Sequence, residues 1–156
     1  MFREIARKKQ ALSEAECIEI LKKELRGVLA VLGDDDYPYA VPINFYYDEA
    51  AHKIYFHSGK EGHKMDAVKK HTKASFCVYD KGTRRENHWS LDIRSVIVFG
   101  KIKTVENWSL DMMRAFCKKF TQDTDYIESE IAQCAKNTAV LELEIEHMTG
   151  KTVNEA

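Results

Sequence analysis

The residues best placed to do chemistry lie between Gly59 and Lys64, Gly-Lys-Glu-Gly-His-Lys, a basic loop that opens a helix. Cations at a helix N-terminus work against the helix dipole, which favours negative charge there. Lys60, His63 and Lys64 at that position resolve the conflict only if an anion sits among them. A phosphate suits best, because free N–H groups, dipole and side-chain charge would then all point at it. The loop is not a P-loop, since its glycines are three apart and no Ser or Thr follows Lys64. A solvated basic loop is the plain alternative. His57 and Ser58 end the strand that feeds the loop, and both can donate hydrogen bonds toward whatever it holds.

Upstream, Pro42 interrupts what otherwise reads as a strand. Proline cannot donate to a ladder, so this strand is an edge, a bulge, or a face turned to a ligand. Asn44, two residues on, supplies an amide for a heterocycle. Loop and strand together place a ring-sized surface beside a phosphate-sized pocket. Trp89, with Arg84, Arg85 and His88, lies in an unpatterned stretch, 80–93, suited to an interface or substrate cover, or to a ragged extension of adjacent strands. Ser95 opens the next strand, where a hydroxyl reaches a phosphate or ring edge, or simply bonds to backbone.

Other chemistries find no support. The six histidines never fall at i, i+4 on one helix and no HExxH occurs, so no metal site is expected. Cys17, Cys77, Cys117 and Cys134 form no CxxC pair and read as small buried hydrophobes. There is no GxSxG and no GxGxxG.

The elements that must position these residues follow from pattern. A capping box, Ser13 with Glu16, starts a helix to about Leu25, with Ala15, Ile18, Leu21 and Leu25 as its apolar stripe and Gly27 as its stop. Strands are expected at 28–32, 38–47, 53–58, 73–79, 94–104 and 141–146. In the second, Val41, Ile43, Phe45 and Tyr47 share one face, with Ala40, Pro42, Asn44 and Tyr46 on the other. The turn at Asp48-Glu49 predicts a hairpin with 53–58. Helices are expected at 63–70, along Trp108, Met112, Phe116 and Phe120, and after Asp123 or Thr124 through Ile127 and Ile131. In the last strand Leu141, Leu143 and Ile145 face a core while Glu142, Glu144 and Glu146 face water. Strands outnumber crossovers, which predicts an α+β fold: an antiparallel barrel with peripheral helices.

At 156 residues the chain is one domain, 44% hydrophobic and 31% charged, with a formal net charge of −1. Those values exclude disorder and give no reason for a nucleic-acid or membrane partner. With no apolar leader and no span, a reducing cytoplasm is the expected home.

Five blocks in order, REIARKKQALSEAECIEIL, PYAVPINFYY, IYFHSGKEGHKMDAVKK, RSVIVFGK and EIEHMTGK, resemble the FMN-binding split-barrel superfamily of pyridoxamine 5′-phosphate oxidase-like proteins. Within it the resemblance is strongest to the branch of 5-nitroimidazole reductases. It implies a six-stranded split barrel, 1–156, forming a homodimer with one FMN per subunit at the interface. It implies ring contacts from Val41, Pro42, Ile43 and Asn44. His57, Ser58, His63 and Lys64 would hold the phosphate, with Lys60 close by, and Ser95 would reach the ring edge or phosphate. The implied activity is a flavin oxidoreductase that moves electrons from NADH or NADPH to a small acceptor such as a nitroaromatic, with His57 or His63 supplying a proton. A flavin-binding protein for sensing or storage, or a barrel holding haem or deazaflavin, are the alternatives. The chain departs from authentic pyridoxamine phosphate oxidases twice: its end lacks their Arg-x-His, and Tyr39 stands where their flavin strand begins with arginine. Vitamin B6 oxidation is therefore not expected.

Overall fold

In a computed structural model, residues 1–84 and 86–154 are described. The strands are β1 (Ala11–Leu12), β2 (Arg26–Leu32), β3 (Pro38–Asn44), β4 (Tyr46–Asp48), β5 (Lys53–Gly59), β6 (Lys73–Tyr79), β7 (Thr83–Arg84), β8 (Leu91–Val105) and β9 (Thr138–Asn154). The helices are α1 (Glu14–Lys23), α2 (His63–Lys70), α3 (Leu110–Lys118) and α4 (Thr124–Cys134). All the strands join one antiparallel sheet in the order β3-β2-β6-β8-β9-β5-β4, with β1 added to β9 and β7 to β8. The expected α+β class holds, and each expected strand run falls on strand, one of them divided in two; the sheet curls into a split barrel.

The differences have physical causes. The expected strand 38–47 breaks at Phe45: β3 pairs with β2 and β4 pairs with β5. Gly27 does not stop the first helix but lies within β2, where a Cβ would come within 2.4 Å of the Phe76 ring. The helix ends at Lys23 and buries Cys17, Ile20 and Leu21, whereas Ala15 and Leu25 are exposed. The capping box is present as expected, with Glu16 answering the Ser13 N–H at 2.7 Å. β8 starts three residues earlier than periodicity suggested, because Leu91 and Asp92 pair with β7. α3 buries Met113 and Phe116, while Trp108 and Phe120 flank the helix.

The main core fills the barrel. Phe45 and Phe56 both meet Phe76 edge-on, at 4.9 and 5.0 Å between centroids. A second cluster, Met113, Phe116, Ile127, Ile131 and Val140, packs α3 and α4 over Tyr46 and Tyr55. Glu142 was expected to face water but is only 6% exposed. Lys53 and Lys103 approach its carboxylate at 3.1 and 3.2 Å, which holds the pKa low despite burial.

Alternation continues straight across the sheet. Val41, Leu29, Phe76, Val98 and Met148 form an inward row. Pro42, Val28, Cys77, Ile97 and Thr149 form an outward one, and Ala40, Ala30, Ser75, Phe99 and His147 another. Tyr79, Ile97 and Phe99 are each at least 40% exposed on that outer face.

Candidate functional site

The loop between β5 and α2 leads into a helix end with the features expected of an anion site. Gly62 caps α2 at φ 113°, a left-handed backbone that glycine adopts freely, and no side chain caps the helix. The first-turn N–H groups are thereby left for a ligand. Lys64 is half-buried, and burial pushes its pKa down; among the described residues no carboxylate pairs with it. A buried ammonium without a counter-charge is costly, and a bound phosphate would remove that cost.

His57 sits close enough to feel the Lys64 charge. Its ring packs 4.8 Å from Phe116, and burial first, then Lys64, lowers its pKa below the usual range. That direction favours the uncharged imidazole, which has one N–H to donate. Ser58 follows on the opposite face of β5, opposite Ala139 of β9.

His63 turns away from Lys64. Its ring stacks on Tyr39 at 4.2 Å, and Nε2 accepts the Asp34 N–H at 3.3 Å. Lys60 lines a different cleft, with Met65, Lys69, Trp108 and Lys136, on the far side of the loop. The motif is thus divided: Lys64 acts electrostatically on His57, His63 packs against Tyr39 and Asp34, and Lys60 lines a separate cleft.

On β3, the four residues expected to contact a ring divide by face. Ile43 is buried in the core and Val41 half-buried against it, whereas Pro42 is exposed and Asn44 half-exposed on the outer face. Only backbone could present all four to one ligand. β3 is an edge strand, so Pro42 leaves no ladder donor missing. Ser95 shares the outer face, between Tyr79 of β6 and Lys151 of β9.

Pro42 and Asn44 open into a groove of about 1100 Å³, a size suited to a ring-bearing small molecule. Sequence reasoning missed the residues that give this groove its character. Arg26 reaches across from β2, and its Nε donates to Asn44 Oδ1 at 2.9 Å. Arg94 is fixed by Asp80, with Nε–Oδ2 at 3.0 Å, which holds the Asp80 carboxyl below its usual range. No local signal marked Arg26, which falls between the expected helix end and the expected strand, and its pairing with Asn44 depends on register. Trp89 is 74% exposed, and Arg84 donates to its carbonyl at 2.8 Å. Arg85 lies outside the described residues. Trp108 is half-buried in the second cluster.

Among the described residues, no cluster of His, Cys, Asp or Glu is placed to hold a metal, and no helix is long and apolar enough to cross a membrane.

Solved structures share this fold. A protein provisionally assigned to 5-nitroimidazole antibiotic resistance, from Bacteroides thetaiotaomicron, superposes with a TM-score of 0.74 at 20% identity, over 92% of this chain and 87% of that one. A conserved hypothetical protein from Mycobacterium tuberculosis gives 0.76 at 17% identity, over 96% and 90%. An FAD-binding protein from Mesorhizobium loti gives 0.66 at 19%, over 92% and 97%. No curated protein sequence matches the chain. The family model for pyridoxamine 5′-phosphate oxidase matches residues 13–152, from the serine that caps α1 almost to the end of β9. The curled sheet and that match agree: the chain belongs to the pyridoxamine 5′-phosphate oxidase family of split barrels.

Proposed function

We propose that this chain is a flavin oxidoreductase. The observation that carries the reading is the uncapped N-terminus of α2 beside the unpaired, half-buried Lys64. On this reading the helix end and Lys64 together receive the phosphate. The solved structures named for FAD and for nitroimidazole resistance support it by their shared fold. FMN is the flavin we propose, because the loop offers one phosphate site.

In this reading Lys64 and the first-turn amides of α2 hold the phosphate, with Ser58 and His57 at the strand end. His63 would swing from Asp34 to join them, and Lys60 would add long-range charge. Backbone of Val41–Asn44 would lie along the ring, with the Asn44 amide and Ser95 hydroxyl toward its polar edge. When bound, the flavin supplies hydride chemistry, taking a hydride from NADH or NADPH and delivering it to a small acceptor such as a nitroaromatic. The protein's share is binding and orientation. His57 keeps a neutral N–H donor near the phosphate, and once the phosphate offsets Lys64 its proton affinity rises.

The outer sheet face, with Ile97, Phe99 and Tyr79 exposed, supports a homodimer that would close over the groove. The four widely spaced cysteines are free, which fits a reducing cytoplasm.

The test is direct. Purified protein should carry or take up flavin, and heat release followed by chromatography should identify FMN rather than FAD. Anaerobic mixing with NADH or NADPH should bleach the visible absorbance within seconds. Protein that neither carries flavin nor takes up FMN defeats the proposal; bound flavin that never bleaches assigns the chain to sensing or storage.

A further inference from the structure

The groove beside Asn44 contains a guanidinium that the flavin reading does not use. Arg26 opens β2 directly opposite Asn44, and both project from the outer face. Its Nε–H is taken by Asn44 Oδ1 at 2.9 Å. That bond fixes the plane of the guanidinium and leaves four of its five N–H donors for a ligand. No carboxylate pairs with Arg26 among the described residues. The acids of the groove are engaged elsewhere: Asp80 accepts from Arg94 and from the Gly82 N–H, Asp92 accepts from Asn154, and Glu24 lies toward Lys119. Val28 and Pro42 give the groove an apolar floor beside Arg26, and the exposed Tyr79 ring and Lys81 stand along its side.

We propose that Arg26, oriented by Asn44, is the receptor for an anionic group on a planar substrate, so that the groove selects aromatic carboxylates and similar anions over their neutral analogues. The proposal rests on the redox reading only for calling the ligand a substrate; the recognition itself follows from Arg26 and the groove. Arginine suits the task better than lysine because its fork meets both oxygens of a carboxylate. The Asn44 amide N–H₂ stays free to face the ring of the cofactor, so one side chain joins the two ligands.

The probes are 4-nitrobenzoate and 4-nitrobenzamide, alike in shape and different in charge. Their binding to the flavin-loaded protein, or to the protein as purified, is measured by equilibrium dialysis, and their reduction is measured separately. Wild type should bind the acid at least ten-fold more tightly than the amide. Arg26→Gln should erase that preference, and Arg26→Lys should keep only part of it. In turnover the variant should raise KM for the acid relative to that for the amide. Equal binding of acid and amide by wild type overturns the proposal, and so does a preference that survives in Arg26→Gln. Because dialysis needs no electron transfer, a preserved preference without nitro reduction would defeat the redox reading alone. Flavin reduction with no preference would defeat this inference alone.

Discussion

Replacing Lys64 with Met separates what the side chain costs the free protein from what it gives a ligand. Lys64 is half-buried, no carboxylate pairs with it among the described residues, and burial lowers its pKa. Methionine keeps most of the stem and removes the charge, so the free protein should melt at the same temperature or slightly higher. A phosphate at the uncapped end of α2 should lose one charge-assisted hydrogen bond, worth about 1.5–3 kcal/mol. That converts to a weakening of FMN binding by about 10–150-fold. Riboflavin has the same ring and no phosphate, so its affinity should change by less than about three-fold, which lies within ordinary surface effects. The assay is titration of both flavins into wild type and variant, followed by intrinsic fluorescence. Inorganic phosphate should raise the melting temperature of wild type by mass action and do much less for the variant. If Lys64→Met weakened riboflavin and FMN equally, the lysine would be acting on the ring or on the fold. If it weakened neither, the anion-site argument would fail.

Two further outcomes are expected. Lys119 lies with Nζ 3.5 Å from the Phe45 ring centroid and donates to the Leu21 carbonyl, and burial lowers its pKa from 10.5 to about 8. The folded value lies below the unfolded one, so the penalty is in full force below about pH 8 and disappears as pH rises toward 10.5; it amounts to about 3 kcal/mol. The ring contact returns about 1 kcal/mol of it. Lys119→Met should therefore melt a few degrees higher at pH 7, and the variant should lack the wild-type gain in stability between pH 8 and 10; a lower melting temperature would contradict this. At the outer face, Ile97→Asp should leave the subunit folded, since Ile97 is 41% exposed, yet shift light scattering from dimer to monomer. A dimer that survives the change would place the interface elsewhere.

Much of this fold could be read from pattern because period-two alternation survives wherever one face is buried. Leu141, Leu143 and Ile145 showed their strand plainly, and the Ser13–Glu16 box marked the start of α1 to the residue. What escaped depended on contacts between distant segments. Gly27 looks like a helix stop, but it is there because Phe76 of β6 leaves no room for a Cβ. Glu142 follows the wet alternation, yet α3 and α4 cover that face, and only Lys53 and Lys103 reveal why a carboxylate stays there. The site divided the same way. The charge and glycines of the loop could be read locally, whereas Arg26 joined Asn44 only through the register of two strands. The direction in which His63 and Lys60 turn is set by Asp34, Tyr39 and a neighbouring cleft, none adjacent in sequence.

The break at Phe45 has a topological meaning. β3 and β4 lie at opposite ends of the sheet path, yet a single residue joins them in the chain. The two borders of the sheet path are therefore joined covalently at one point. Phe45 is that point, fully buried against Phe76 and covered by Lys119. β3, which carries Pro42 and Asn44, is thereby tied through Phe45 and β4 to β5, which carries His57 and Ser58, so the two strands bearing the candidate residues are neighbours along the chain although they stand far apart in the order of the sheet.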